Sequence, residues 1–115
     1  MDSKLKQTFI QRVTEENRSD PGGTKILWSR HAVAELAVEG WKRRQVEGAL
    51  LNSEVIENYP TLYRPLPDCL VLAWMTSTTP VHVVVAIDQG LDRILVVTVY
   101  QPSEEEWEDD WKTRK

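Results

Sequence analysis

The chain has 115 residues and a formal net charge of −4 at pH 7, which is consistent with one domain of common size. The acidic balance excludes the broad basic surface with which many proteins hold nucleic acid through counterion release, so any nucleic-acid contact must be a local patch. Cys69 is the only cysteine and has no internal disulfide partner, and the apolar runs 70–75 and 81–87 are too short to span a bilayer. With no apolar leader at the N-terminus, these features predict a soluble, cytoplasmic protein with no membrane contact.

The N-terminal segment, residues 1–25, is predicted to be an amphipathic helix followed by a hinge. Leu5, Phe9 and Val13 recur at helical spacing. The Asp-Pro-Gly-Gly sequence at 20–23 is a strong helix breaker and ends the helix. The sequence leaves open whether this helix packs on the rest of the chain or binds a partner.

Residues 26–115 are predicted to form a single α+β domain that starts with two short helices. A short extended stretch precedes Ser29, which is a suitable N-cap for the first helix, and Gly40 is a suitable end for it. A second helix is predicted from Trp41 to Leu51, because apolar residues recur along one side of that segment.

An antiparallel meander of three to four strands is predicted to follow the two helices. A short strand candidate covers residues 55–59, and three stronger apolar runs cover 69–75, 81–87 and 94–100. The short polar connections between these runs are typical of hairpins. Both faces of the first hairpin are apolar, so helices must cover one face, and the N-terminal helix, the tail or a second chain must cover the other.

The C-terminal tail is rich in acidic residues and is predicted to be a helix. Trp107 and Trp111 are four residues apart, so a helix would bring both indoles to one face. Two indoles left in water would make a sticky patch, and we therefore predict that both pack on the domain.

Motifs for known cofactors and metals are missing from the sequence. There is no glycine-rich phosphate loop, no paired-cysteine zinc motif and no nucleophile elbow. His31, His82 and Cys69 are the only soft metal ligands, and their spacing does not indicate a zinc site. We therefore predict no metal and no cofactor.

Two histidines and one tyrosine are the candidate catalytic residues. His82 lies in an apolar strand, where it is either a buried, hydrogen-bonded structural residue or a functional one. His31 lies in the first turn of a helix and can bond to backbone there. Tyr100 either fills the core or joins His82 and His31 around one cleft as an acid, a base or a substrate anchor. The hairpin register decides whether Tyr100 shares a face with His82, and the loop does not fix that register.

The basic patch around the second helix is a candidate phosphate-binding surface. Lys42, Arg43 and Arg44 are consecutive, and Arg30 and Trp41 are near them in the sequence. The ordinary interpretation is a solvated helix face. The functional interpretation is phosphate binding, with Trp41 as a stacking platform.

A series of short motifs occurs in a fixed order from about Trp28 to Lys115. They are Ser29-Arg30-His31-Ala32, Gly40-Trp41, Val55-Ile56-Glu57-Asn58-Tyr59-Pro60, Asp68-Cys69-Leu70-Val71-Leu72, Val81-His82-Val83-Val84-Val85, Thr98-Val99-Tyr100-Gln101-Pro102, Trp107 and Arg114. Taken together, these motifs resemble a family of uncharacterised bacterial proteins, domain-of-unknown-function family 4258.

The resemblance implies a fold distantly similar to the RelE/BrnT group of small α+β toxins, many of which cleave RNA and are neutralised by an antitoxin. It also implies a set of signature polar and aromatic positions: His31, His82, Thr98, Tyr100, Trp107 and Arg114. Many relatives carry arginines where this chain has Glu35 and Glu39, and those arginines would be natural phosphate contacts.

Two functions are therefore open. The first is a toxin-like, RNA-directed domain that cleaves RNA without a metal, in which His31, His82 and Tyr100 act in catalysis. Its expected RNA contacts are Arg30, Arg43, Arg44 and Arg114. The second function is a non-catalytic protein-binding or regulatory module. An antitoxin or another protein is the expected partner, while RNA and a second copy of the chain are further partners that the sequence leaves open.

Overall fold

The structure is a computed structural model that describes residues 1–59 and 65–115. Its elements in chain order are α1 (Ser3–Ser19), β1 (Ile26–Trp28), α2 (Arg30–Glu39), α3 (Arg43–Ala49), a 3-10 turn (Leu50–Asn52), β2 (Glu54–Asn58), β3 (Asp68–Thr76), β4 (Thr79–Asp88) and β5 (Arg93–Tyr100). The predicted α+β class is confirmed. Among these described helices, none is both long enough and apolar enough to cross a membrane.

The strands form one five-stranded sheet in the order β1-β5-β4-β3-β2. Strands β2 to β5 pair antiparallel in sequence order, which confirms the predicted meander. The first strand was not predicted: β1 has three residues and pairs parallel to β5, so the sheet is mixed. A strand of three residues is too short to show an alternation of apolar and polar side chains. Its parallel partner, β5, lies at the far end of the domain sequence, so the pairing that defines β1 is not visible in the sequence.

All three helices contribute to the core on one face of the sheet. Alternate residues of β4, such as Val83 and Val85, point into this core, and apolar residues of the three helices meet them: Ile10 and Val13 from α1, Ala32 and Leu36 from α2, and Val46 from α3. The remaining residues of β4, including His82, therefore point to the opposite face. We call this second side the tail face, because the C-terminal tail packs on it.

The N-terminal helix packs on the sheet, which answers the question that the sequence left open. Lys6 is buried, and its Nζ donates hydrogen bonds to the carbonyl of Asp68 at 2.7 Å and to Asn58 Oδ1. Gln7 Oε1 accepts the backbone N–H of Val55 at 3.0 Å. Helix α1 therefore satisfies backbone groups at the β2 edge of the sheet, where an unpaired strand would otherwise be exposed.

Helix α2 completes the opposite edge of the sheet. Ser29 caps α2 as predicted, and its hydroxyl donates to the carbonyl of Val97 at 2.8 Å. Glu35 Oε1 accepts the N–H of Val99 at 2.9 Å, so α2 continues the edge of β5 where the short β1 ends. Gly40 ends the helix with a φ of 72°, a conformation that glycine adopts without strain, as the sequence predicts.

The predicted C-terminal helix is wrong: the tail is a series of turns closed by a bridge between Trp107 and Arg114. A helix would place acidic residues at i and i+4 three times in succession, and like charges at that spacing destabilise helices. Trp107 is 2 % exposed and packs edge-on against His82, whereas Trp111 is half-buried and contacts His82 through its backbone carbonyl. Trp111 has a φ of 61°, which lies outside the helical region.

Candidate functional site

The hairpin register places the two main candidate residues side by side on the tail face. His82 pairs directly with Tyr100 on β5 and with Leu72 on β3. Directly paired residues of antiparallel strands point to the same face, so His82 and Tyr100 are neighbours. Their rings meet edge-on, with centroids 5.4 Å apart.

His82 is completely buried and both of its ring nitrogens have partners. Nε2 lies 2.7 Å from the carbonyl oxygen of Trp111, and Nδ1 lies 3.2 Å from the hydroxyl oxygen of Tyr100. A carbonyl oxygen only accepts, so Nε2 carries the proton and Nδ1 accepts the hydroxyl proton of Tyr100. Burial lowers the pKa of His82, so the ring is neutral.

The tail forms the cover over His82. The indole of Trp107 lies edge-on to the imidazole, with ring centroids 4.4 Å apart. The guanidinium of Arg114 lies 4.7 Å from the centroid of the Trp107 ring. The tail therefore seals His82 from water with one indole, and a cation stacks on that indole.

Arg114 is held by a two-pronged contact with Glu57. Its Nε and Nη2 donate to the two carboxylate oxygens of Glu57, at 2.7 and 2.9 Å. This contact lowers the pKa of Glu57, and the hydroxyl of Tyr59 also donates to Glu57 at 2.8 Å. Glu57 occupies the Nε and Nη2 edge of the guanidinium and neutralises its charge, so the attraction of Arg114 for a phosphate is reduced.

Carboxylates outnumber cations around the hydroxyl of Tyr100. Tyr100 is half-buried, and burial is the main cause that raises its pKa. The negative charges of Glu57, Glu106 and Glu35 raise the pKa further, and Arg114 acts in the opposite direction. The phenol therefore stays protonated and donates to His82, and the local field disfavours a phosphate group.

His31 is not brought to His82 or Tyr100. Its side chain is 69 % exposed on α2, and Nε2 lies 3.4 Å from Glu35 Oε1. Glu35 also holds the N–H of Val99, so His31 lies near the edge of β5. Across residues 1–59 and 65–115, His31 makes no hydrogen bond and no ring contact with the buried pair.

The other predicted RNA contacts lie on the helices, away from the tail face. Arg30 is exposed at the start of α2, and Arg43 lies with its guanidinium 5.9 Å from the ring centroid of Trp28. Arg44 is exposed on α3. Of the predicted site residues, the structure therefore joins His82, Tyr100 and Arg114, and the proposed roles of all of them in RNA binding and catalysis stay predictions.

Glu57 is the residue of this cluster that the sequence analysis missed. It lies in a predicted strand, and an acidic residue in a short strand is ordinarily solvated. Its role depends on Arg114, which is 57 residues away in the chain. Plain alternation would place Glu57 on the core side with Val55, and a bulge between these two residues moves Glu57 to the tail face. Neither the bulge nor the path of the tail is readable from the sequence.

No group of three or more His, Cys, Asp or Glu side chains in the described part of the chain could hold a metal ion. Cys69 is buried in the core, and burial raises its pKa to about 12, so it is a neutral thiol at physiological pH. The sulfur is therefore neither an activated nucleophile nor a ready metal ligand.

A family described as "Domain of unknown function (DUF4258)" matches residues 28–101. The match covers more than half of the chain, and the chain belongs to this family, as the motifs indicate. It runs from the last residue of β1 to just past β5, so α1 and the tail lie outside the matched part. The comparisons with curated proteins and with solved structures found no match. The similarity to the RelE/BrnT group stays a prediction.

Proposed function

We propose that this DUF4258 domain is a non-catalytic protein-binding module that holds a basic, partly apolar segment of another protein on its tail face. The observation that carries the proposal is an apolar strip that lies open beside a row of unpaired carboxylates.

The strip consists of side chains from three adjacent strands. Leu27 is paired with Leu95 across β1 and β5, and Thr98 is paired with Val84 across β5 and β4. Leu27 is 37 % exposed, and the other three are partly exposed. The tail covers the neighbouring His82, so the strip is the part of this face that stays accessible.

The carboxylates come from the first part of the tail. Five exposed acidic residues form no ion pair with any residue in the described ranges: Glu104, Glu105, Glu106, Glu108 and Asp109. Glu106 is close enough to Tyr100 for its charge to raise the pKa of the phenol, so this acidic row begins beside the strip. Lysine and arginine side chains are the complementary groups, and such complementarity raises association rates and selects partners.

The contacts of His82 and Arg114 also support binding rather than cleavage. His82 has no exposed surface, and Glu57 bonds the Nε and Nη2 edge of Arg114 and neutralises its charge. A metal-free ribonuclease needs an accessible base and a cation free to meet the phosphate. Both ring nitrogens of His82 have structural partners, and the charge of Arg114 is paired with Glu57.

The experiment uses two synthetic peptides of equal length, one alternating Leu with Lys and the other alternating Leu with Glu. We expect fluorescence anisotropy to detect binding of the Leu/Lys peptide at about 0.15 M salt, weakening as salt is raised, and no binding of the Leu/Glu peptide. Leu27→Asp is expected to weaken binding about tenfold, because it places a charge in the apolar strip.

The matched control is Leu91→Asp, which changes an exposed leucine in the β4–β5 turn. It is expected to leave the affinity unchanged. Equal binding of both peptides, or equal loss of affinity in the Leu27 and Leu91 variants, would show that the strip is not the binding surface.

RNA cleavage is the second candidate function, and one observation favours it. The Trp111 carbonyl fixes the tautomer of His82 so that Nδ1 accepts the proton of the Tyr100 hydroxyl, an arrangement that activates a hydroxyl in many enzymes. The test is incubation of purified protein with a mixed-sequence RNA. Cleavage that is lost in Tyr100→Phe, a variant that keeps the ring packing, would replace the binding proposal, and intact RNA would exclude this candidate.

A further inference from the structure

A cavity lies between α3 and the loop after α1, on the helix side of the sheet and opposite to the tail face. Its volume of about 570 Å³ is within the range of small-molecule sites. We call it the α3 cavity. The residues that line it come from the end of α1, from the loop and from α3: Asn17, Arg18, residues 20–23, Arg44, Glu47 and Gly48.

Asn17 is buried, yet one of its two polar side-chain atoms has no partner. The residue is 6 % exposed, and its Oδ1 accepts the backbone N–H of Lys25 at 2.9 Å. Only the oxygen can accept that bond, so the orientation of the carboxamide is fixed. The NH₂ group donates to no residue within 1–59 and 65–115 and is not sealed from solvent, so it opens to the cavity that Asn17 lines. Buried donors without a partner are rare, and this one favours a ligand that carries an acceptor.

Two arginines place positive charge at the same cavity. Arg18 and Arg44 are exposed and form no ion pair with any residue that the structure describes. A guanidinium group binds a carboxylate through two parallel N–H···O bonds, which makes arginine the usual partner of this group. Together with the amide of Asn17, the two arginines provide the donors that one carboxylate group requires.

Two carboxylates balance the charge of the arginines, and one of them has a free oxygen. Both oxygens of Asp20 hold the loop: Oδ1 accepts the N–H of Gly22 at 3.0 Å, and Oδ2 accepts the hydroxyl of Thr24 at 3.1 Å. Glu47 Oε2 accepts the indole N–H of Trp28 at 2.9 Å, and Oε1 accepts no bond in the described part of the chain. The cavity therefore offers donors for an anionic group and, at Glu47, an acceptor for a cationic group.

Gly48 keeps part of the cavity wall open. It lies in the last turn of α3, and glycine is the least favourable helical residue after proline. A Cβ atom added at Gly48 would meet no atom of the described residues within 4 Å, so packing does not require a glycine at this position. A ligand that uses this space gives a reason for the glycine that the fold itself does not give.

We propose that the α3 cavity binds a small zwitterion, of which a free α-amino acid is the simplest. Its carboxylate would accept hydrogen bonds from Asn17 and Arg44, and its ammonium group would donate to Glu47 Oε1. The polar lining fits a neutral polar side chain. This site is independent of the strip beside the tail, and neither proposal depends on the other.

The experiment titrates the ¹⁵N-labelled full chain with L-glutamine and with two derivatives that each lack one charge, N-acetyl-L-glutamine and L-glutaminamide. We expect glutamine to shift the backbone amide signals of Gly22 and Gly48 and to bind at about millimolar concentration, as suits a ligand with few contacts. Each derivative loses one of the two ionic contacts and is expected to bind about tenfold more weakly. Absence of glutamine binding would overturn the proposal, and so would equally tight binding of the N-acetyl derivative, which would indicate the C-terminal residue of a peptide instead.

Three variants and one control assign the binding to the cavity. Gly48→Leu is expected to weaken glutamine binding about tenfold and to raise the melting temperature by about 2–4 °C, because leucine favours a helix more than glycine does. Asn17→Asp keeps the acceptor for the Lys25 N–H but removes the donor, and Arg44→Gln removes a charge; each is expected to weaken binding about tenfold. The control, Arg30→Gln, removes another exposed arginine outside the cavity and should change the affinity less than about twofold. Glutamine binding that Gly48→Leu or Asn17→Asp leaves unchanged would overturn the proposal.

Discussion

Replacing Trp107 with alanine tests how strongly the tail stabilises the domain. Trp107 is 2 % exposed, contacts His82 edge-on and carries the guanidinium of Arg114 on its ring. Removing a buried tryptophan side chain costs about 3–5 kcal/mol of the free energy of unfolding. For a domain of this size, that corresponds to a decrease of about 10–20 °C in the melting temperature.

The assay is thermal unfolding followed by circular dichroism for the wild type, Trp107→Ala and a control, Trp74→Ala. The control removes an indole that is 41 % exposed, and we expect it to cost less than about 1.5 kcal/mol. Equal melting temperatures for the two variants would refute the reasoning, because they would mean that the tail does not seal His82 in solution.

Three further predictions concern pH and two charged groups. The pKa of His82 is lowered by burial, so we expect the free energy of unfolding to be constant above about pH 7 and to fall below about pH 6.5, where the unfolded chain gains a proton. The measurement is guanidinium unfolding of the wild type and His82→Gln across this pH range. An identical pH profile for the two proteins would contradict the prediction. Lys6→Met leaves the buried carbonyl of Asp68 with one donor fewer and is expected to lower the free energy of unfolding by about 1–3 kcal/mol in the same unfolding experiments. The control is Lys4→Met, which changes an exposed lysine of α1. Equal losses of stability in the two variants would contradict the prediction. Asp92→Asn breaks exposed ion pairs with Arg12 and Lys25 and is expected to lower the melting temperature at low salt. Because salt screens exposed ion pairs, the melting temperatures of the variant and the wild type should become equal at about 1 M salt. A difference in melting temperature that salt does not change would contradict the prediction.

Local patterns in the sequence predicted the parts of the fold that depend on neighbouring residues. The three long strands, the cap at Ser29 and the end of α2 at Gly40 follow from alternation, capping chemistry and glycine conformation. The side-by-side position of His82 and Tyr100 depends on the register between β4 and β5. That register is set by packing on both faces of the sheet, which loop length alone does not specify.

The elements that the sequence did not predict depend on contacts between distant segments. Strand β1 is defined by its parallel pairing with β5, and the tail is defined by Trp107 on His82 and Arg114 on Glu57. Helical spacing of two tryptophans indicated a helix, but repulsion among the acidic residues and burial of one indole favoured turns. Glu35 bonds to the N–H of a β5 residue at the sheet edge, a role that a single sequence does not reveal.

The central claim is that the apolar strip beside the acidic tail is the binding surface for a basic partner. The most direct measurement is a titration of ¹⁵N-labelled protein with the Leu/Lys peptide, followed through backbone amide chemical shifts. We predict that the largest changes fall on Leu27, Val84, Leu95, Thr98 and the tail from Glu104 to Glu106. Changes confined to α3 and the loop after α1, or no changes at peptide concentrations that saturate the anisotropy signal, would contradict the claim.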